Sequence, residues 1–225
     1  TTHSDNISSG GFDGQGYALK LTGVDSNRWT QLKTETGGDL YGVSMASVSF
    51  WHYPVPRYNS SDGSNHPRIF GVFWNDNNET HWQAQTLFAM AIGGNNVPMK
   101  YYITNQDSDK RVMKIYINNT QVYTWDSVAQ NTGEHIDSSF NQWNHIYIEF
   151  NRDVLSHTDS TKNVEVHWMG LSSRNGNGYL DEIRYFNRGL TDSERTYLSN
   201  PSGALDDKFV IYFNHFTNPE YSPFT

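Results

Sequence analysis

The chain has 225 residues, a formal net charge of −8, 15% aromatic and 18% charged residues, and no cysteine. That size suits one large β domain or, less simply, two small ones. The acidic balance argues against nonspecific nucleic-acid binding and adhesion to anionic membranes, and the missing cysteines exclude disulfides, thiolate metal sites and a cysteine nucleophile.

Glycine and asparagine are abundant, and long apolar helical patterns are absent, as in an all-β chain with many turns. No stretch approaches the length of a membrane-spanning helix, so no membrane insertion is expected. Asn6, Asn59, Asn78 and Asn118 each open an Asn-x-Ser/Thr sequon, which matters only on a secretory route.

In chain order, Thr1 to Gly11 is polar and reads as an arm. Residues 17–21, Tyr-Ala-Leu-Lys-Leu, alternate as a first strand after the turn-like Phe12 to Gly16, and Trp29 to Lys33 is a second short strand. Ser47 to Tyr53 is a clear strand that Pro54 and Pro56 are expected to end, because proline cannot donate to a sheet ladder. Strands are predicted at 69–74, 86–92, 100–104, 112–117 and 121–125, with Asn118-Asn119 as a tight hairpin turn. Further strands are predicted at 143–150 and 164–168.

Gly178 to Leu198 is the densest signal. Ile183 and Tyr185 alternate with Glu182, Arg184 and Phe186, Asn187-Arg188-Gly189 breaks the strand, and Thr191-Asp-Ser-Glu194 reads as a capping box that starts a short helix over 191–198. A last strand is predicted at 209–213, and 214–225 reads as a tail.

Three patches carry a resemblance: 11–23, 47–57 and 143–198. The Gly-x-Ala-Leu opening, the SVSFWHYPVPR strand, the Trp143-x-His145 segment and the closing strand–turn–helix resemble laminin G-like and concanavalin A-like jelly-roll domains. SVSFWHYPVPR is also similar to the matching strand in the jelly-roll half of clostridial neurotoxin binding regions. The resemblance implies a single all-β domain, a two-sheet antiparallel jelly-roll sandwich. That fold does not fix a function, because it hosts lectins, adhesion modules, toxin domains, hydrolases and lyases.

Alternation assigns two faces. Leu19, Leu21, Val48, Phe50, Ile146, Ile148, Phe150, Val164, Val166, Trp168, Ile183 and Tyr185 form the predicted core. The opposite faces carry Ser49, Trp51 and Tyr53; His145, Tyr147 and Glu149; Glu165 and His167; and Glu182 and Arg184. If these strands are neighbours in one curved sheet, they line a groove of aromatic, acidic and imidazole side chains. Rings stack on the apolar faces of sugars and carboxylates bind hydroxyls, so this is a candidate glycan site. A pair of carboxylates, or a Tyr–His–Arg set, would also serve hydrolase or lyase chemistry. Alternation equally produces an ordinary solvated sheet face. Trp74 and Trp82 bracket a polar loop and are further candidate platforms, or plugs for the end of the core.

Against catalysis, the chain lacks the Glu-x-Asp-x-x-Glu run of jelly-roll glucanases and the arginine-rich strand of jelly-roll alginate lyases. It also has no Gly-x-Ser-x-Gly, His-Glu-x-x-His or P-loop motif. The resemblance further implies one structural calcium, with Asp181 as its carboxylate ligand and carbonyls of the Phe12–Gly16 turn around it. Asp181 could instead pair only with a neighbouring backbone amide.

The expectation is therefore a non-enzymatic module that recognises a glycan or glycoprotein. It would sit on an extracellular, cell or virion surface, within an adhesin, toxin or viral surface protein. A polysaccharide-cleaving enzyme and a purely structural subunit are the alternatives, and a homo-oligomer or larger assembly is compatible with each.

Overall fold

A computed structural model describes residues 7–9, 11–12, 17–21, 30–31, 46–54, 68–76, 85–93, 100–105, 112–124, 134–137, 141–150, 162–168, 178–200 and 210–214. In chain order the strands are β1 (Ile7–Ser9), β2 (Tyr17–Leu21), β3 (Thr30–Gln31), β4 (Ser47–Pro54), β5 (Arg68–Asp76), β6 (Gln85–Gly93), β7 (Lys100–Asn105), β8 (Val112–Ile117), β9 (Thr120–Thr124), β10 (Glu134–Asp137), β11 (Asn144–Phe150), β12 (Lys162–Trp168) and β13 (Gly178–Phe186); helix α1 (Asp192–Leu198) and β14 (Val210–Asn214) follow.

The described strands pair antiparallel in two sheets. The first runs β1-β2-β13-β4-β11-β8-β9, with β14 also on β13; the second runs β10-β7-β6-β5-β12-β3. The expected arm is therefore corrected in part: Ile7 to Ser9 pair with Leu19 to Tyr17 and form an edge strand. The tail beyond Asn214 lies outside the described residues. Pro54 closes β4 instead of standing beyond it; its carbonyl still accepts the Asn141 amide at 3.2 Å.

The sheets meet through side chains of predicted core parity. Phe50 of β4 lies 6.1 Å from Phe70 of β5, and Phe70 lies 6.3 Å from Phe150 of β11, measured between ring centroids. Val48, Ile146, Ile148, Ile183 and Tyr185 are fully buried. Each such side chain contributes about 1.5–3 kcal/mol of hydrophobic stabilisation. His52 shares this interior, and its Nδ1 lies 2.8 Å from the Tyr101 hydroxyl of β7. Burial pushes the Tyr101 hydroxyl pKa up, so it stays protonated and tethers the two sheets.

Two local features shape the first sheet. Asn118 and Asn119 have φ of 49° and 61° and make the tight β8–β9 turn, as their residue type predicts. In β13 the register against β4 shifts between Asp181 and Arg184, and Glu182 there has φ 51°. The extra residue is a β-bulge. It marks the point where the neighbour on the other edge of β13 changes from β2 to β14.

Candidate functional site

The outward face of the first sheet was the expected groove, and the structure divides it into two unlike parts. The register places Trp51 opposite His145 and Asp181, and Ser49 opposite Tyr147 and Arg184. These positions share a face, as predicted for β4, β11 and β13. They are not solvated: His145 is 1% exposed, Tyr147 0% and Trp51 7%. The solvated-groove expectation is therefore corrected for these residues, because other parts of the chain lie on top of them.

One cover comes from the N-terminal side. The Phe12 ring stacks on Trp51 at 4.6 Å and 20°, and Trp51 in turn lies 5.3 Å from the His145 ring. His145 Nε2 is 2.8 Å from the Ser49 hydroxyl. Burial, helped by the charge of Arg184, lowers the His145 pKa to about 3, so the ring is neutral near pH 7. Asp181 holds this cover down. Its Oδ2 accepts the Phe12 amide at 3.2 Å and its Oδ1 accepts the Glu182 amide at 2.8 Å, which also clamps the bulge.

The second cover is the strand–turn–helix segment. Tyr116, Tyr147, Phe186, Leu190 and Leu198 form a separate buried cluster on this face. Tyr147 donates to Glu149 Oε2 at 3.3 Å and accepts the Leu190 amide at 2.8 Å. Burial raises its pKa. The Arg195 guanidinium lies 4.1 Å from the centre of the Tyr116 ring and donates to the Leu190 carbonyl at 2.6 Å. The capping box is formed: Thr191 accepts the Glu194 amide, and Glu194 accepts the Thr191 amide. Hydrogen bonds from Arg188 hold the Glu194 carboxyl down to about 2. Gly189 packs so closely that a Cβ there would stand 3.2 Å from Glu149 Oε2.

The described candidate carboxylates are engaged. Glu149 pairs with Lys114 at 3.6 Å, and Glu182 pairs with Arg184. Asp181 supplies one carboxylate with an amide on each oxygen, and no group of three acidic or histidine side chains converges to hold a metal among the described residues. By themselves, those residues do not make up the six to eight oxygens calcium takes. The turn at 13–16 expected to add carbonyls lies outside them.

Glu165 and His167 do not join this face, because β12 belongs to the second sheet, between β5 and β3. Glu165 stands opposite Phe73, and His167 opposite Gly71 and Gln31. Trp74 is also in the second sheet, opposite Val164 of β12. Trp82 lies outside the described residues.

The other part of the face is partly exposed. Tyr53 stands opposite Tyr179 in the β4–β13 register. Trp143, just before β11, lies beyond Tyr53 on the other side. The Tyr53 ring meets Trp143 at 5.6 Å and 71°, and Tyr179 at 5.9 Å and 69°. All three rings are half-buried, and the neighbouring amides of Asn141 and Gln142 are exposed. Sequence reasoning named Tyr53 and missed Trp143 and Tyr179. The available signal was parity: Trp143 precedes His145 by two positions and Tyr179 precedes Asp181 by two. Only the strand register shows that these two residues flank Tyr53.

No family model matches the chain, and no curated protein matches it. Among solved structures, domain 4 of AbnA, an extracellular GH43 arabinanase from Geobacillus stearothermophilus in complex with arabinotriose, is similar over 86% of this chain and 87% of that one, at 15% identity and a TM-score of 0.33. A TM-score that low carries no argument about this chain's fold or ligand.

Proposed function

We propose that the chain is a recognition module of jelly-roll type that binds a glycan or glycoprotein without cleaving it. The observation that carries this reading is the row Tyr179–Tyr53–Trp143, part-exposed beside two exposed amides, while Trp51, His145 and Tyr147 on the same face are covered. Aromatic rings offer flat apolar surface to sugar C–H groups, and side-chain amides both donate to and accept from hydroxyls. Binding is preferred to hydrolysis or lyase chemistry because Glu149 and Glu182 are ion-paired and His145 and Tyr147 are buried. The resemblance to laminin G-like domains supplies the setting: an extracellular or surface protein such as an adhesin, toxin or viral surface protein.

A glycan array with and without calcium tests the reading. Binding without turnover of the bound glycan supports it. A silent array joined to self-association in solution would favour the structural role. A calcium-dependent signal would give Asp181 a ligand role beyond its two amide contacts.

A further inference from the structure

We infer that Asn118 and Asn144 are positioning residues of the aromatic row: a relay of three hydrogen bonds from the β8–β9 turn sets the angle at which Trp143 meets Tyr53. Its consequence for binding rests on the recognition reading above, to which it adds what holds the site in shape.

The relay starts where β8 ends. Asn118 continues the β8–β11 ladder one residue past Ile117: its backbone amide donates to the His145 carbonyl at 2.8 Å. Its φ of 49° is left-handed. Its side-chain Oδ1, in place of a backbone carbonyl, accepts the His145 amide at 2.9 Å. A backbone amide only donates, so this contact fixes which end of the Asn118 side chain is oxygen. The nitrogen end must then donate, and it reaches Asn144 Oδ1 at 3.1 Å. Asn144 Nδ2 in turn donates to the Gln142 carbonyl at 3.1 Å. A carbonyl only accepts, so backbone groups fix both ends of the relay and each amide orientation agrees with the next. Asn144 is fully buried, so breaking its bonds leaves polar groups desolvated.

The Gln142 carbonyl belongs to the peptide plane that leads into Trp143, and holding that plane restricts φ of Trp143. The next residue, Asn144, is held in β11 opposite His52. On the other side, Asn141 takes a left-handed φ of 57°, and its amide donates at 3.2 Å to the carbonyl of Pro54, next to Tyr53. The turn is thus tied to β4 and to the β8–β9 turn, and the Trp143 ring between the ties meets Tyr53 at 5.6 Å and 71°. A ring platform binds only in the conformer that faces the ligand, so affinity falls with the fraction of chains that keep it.

The test labels the full chain with fluorotryptophan, and Trp143→Phe assigns the Trp143 signal among the seven tryptophans. Asn118→Asp keeps a residue that tolerates the left-handed turn and an acceptor for the His145 amide, and loses only the donation to Asn144. Asn144→Ala removes the middle of the relay. Asn119→Asp is the control, the same change at the neighbouring turn residue, whose side chain bonds instead to Thr196 of α1. Fluorine NMR should show the Trp143 signal shifted or broadened in the two relay variants and unmoved in the control. A relay that only stabilised the fold would lower the urea midpoint without moving this signal. Calorimetry with maltotriose, cellotriose and xylotriose should show about threefold to tenfold weaker binding of any bound sugar in the relay variants. Near-UV circular dichroism checks folding, and Asn118→Asp, at an exposed position, decides if Asn144→Ala does not fold. A Trp143 signal unmoved in the folded relay variants, or moved equally by the control, overturns the inference and leaves recognition standing, as does unchanged affinity with a moved signal. A moved signal with no sugar bound by the unmodified chain upholds the relay and counts against the recognition reading.

Discussion

The two parts of the first sheet's outward face are written in the same code and end differently. On β4, Ser49, Trp51 and Tyr53 follow one another at every second position. Trp51 lies under Phe12 and beside His145, whereas Tyr53, two residues on, keeps a half-exposed ring between Trp143 and Tyr179. What separates them is what the chain lays over each. Phe12 and the Asn187–Leu198 segment turn the middle of the face into a second small core and stop short of the aromatic row. An outward-facing strand position can therefore meet a ligand only where no cover reaches it, and among the described residues of this face the row keeps its rings partly exposed.

This contrast can be broken from the covered side first. Tyr147→Ala should destabilise the protein by about 3–5 kcal/mol in urea unfolding, since it removes a fully buried ring and the acceptor for the Leu190 amide. Tyr147→Phe should cost less, about 1–3 kcal/mol, the penalty for a buried amide left without its acceptor. Equal costs for the two variants would show that the hydroxyl does not anchor the helix segment.

The pH profile should also separate the two parts. The folded His145 has a pKa of about 3 against 6.5 for the free side chain. Between those values the unfolded chain binds a proton that the folded chain refuses. Stability is therefore lost as pH falls through that window. His145→Gln should flatten the fall in the urea midpoint over pH 6.5 to 3 relative to the unmodified chain. An unchanged slope would mean that the ring is reached by solvent and protonates in the fold.

A smaller effect is expected at the cover's edge. Thr191→Ala removes the N-cap of α1 and should cost about 1 kcal/mol. The smallest stability effect belongs to the partly exposed row: Trp143→Ala should cost about 1 kcal/mol or less, since its ring is only half-buried. Its consequence should appear in saccharide affinity. A Trp143→Ala loss as large as that of Tyr147→Ala would place the row in the core and remove the contrast.

Much of the local structure was legible. The alternation of β4, β11 and β13 correctly marked Val48, Phe50, Ile146, Ile148, Ile183 and Tyr185 as interior. Asn118-Asn119 announced its hairpin, and Thr191 with Glu194 announced the helix start. Asn118 also has a role in the fold that its motif does not announce. It heads a sequon, yet its Nδ2 donates to Asn144 Oδ1 at 3.1 Å and its Oδ1 accepts the His145 amide at 2.9 Å, so in the fold its amide ties the turn to β11. The short strands β1 and β10 escaped the reading because three or four residues carry too little pattern, and pairing with β2 and β7 defines them.

The sequence by itself determined which residues extend, where the chain turns and which face of each central strand is apolar. These follow from backbone geometry and side-chain type acting over a few residues. Tertiary structure decided which strands are neighbours and what lies over them. β12 went to the second sheet and took Glu165 and His167 with it, Phe12 came to rest on Trp51 across 39 residues of chain, and Tyr53 met Tyr179 across 126. Such choices depend on burying the most apolar surface across the whole molecule, and no local period records them.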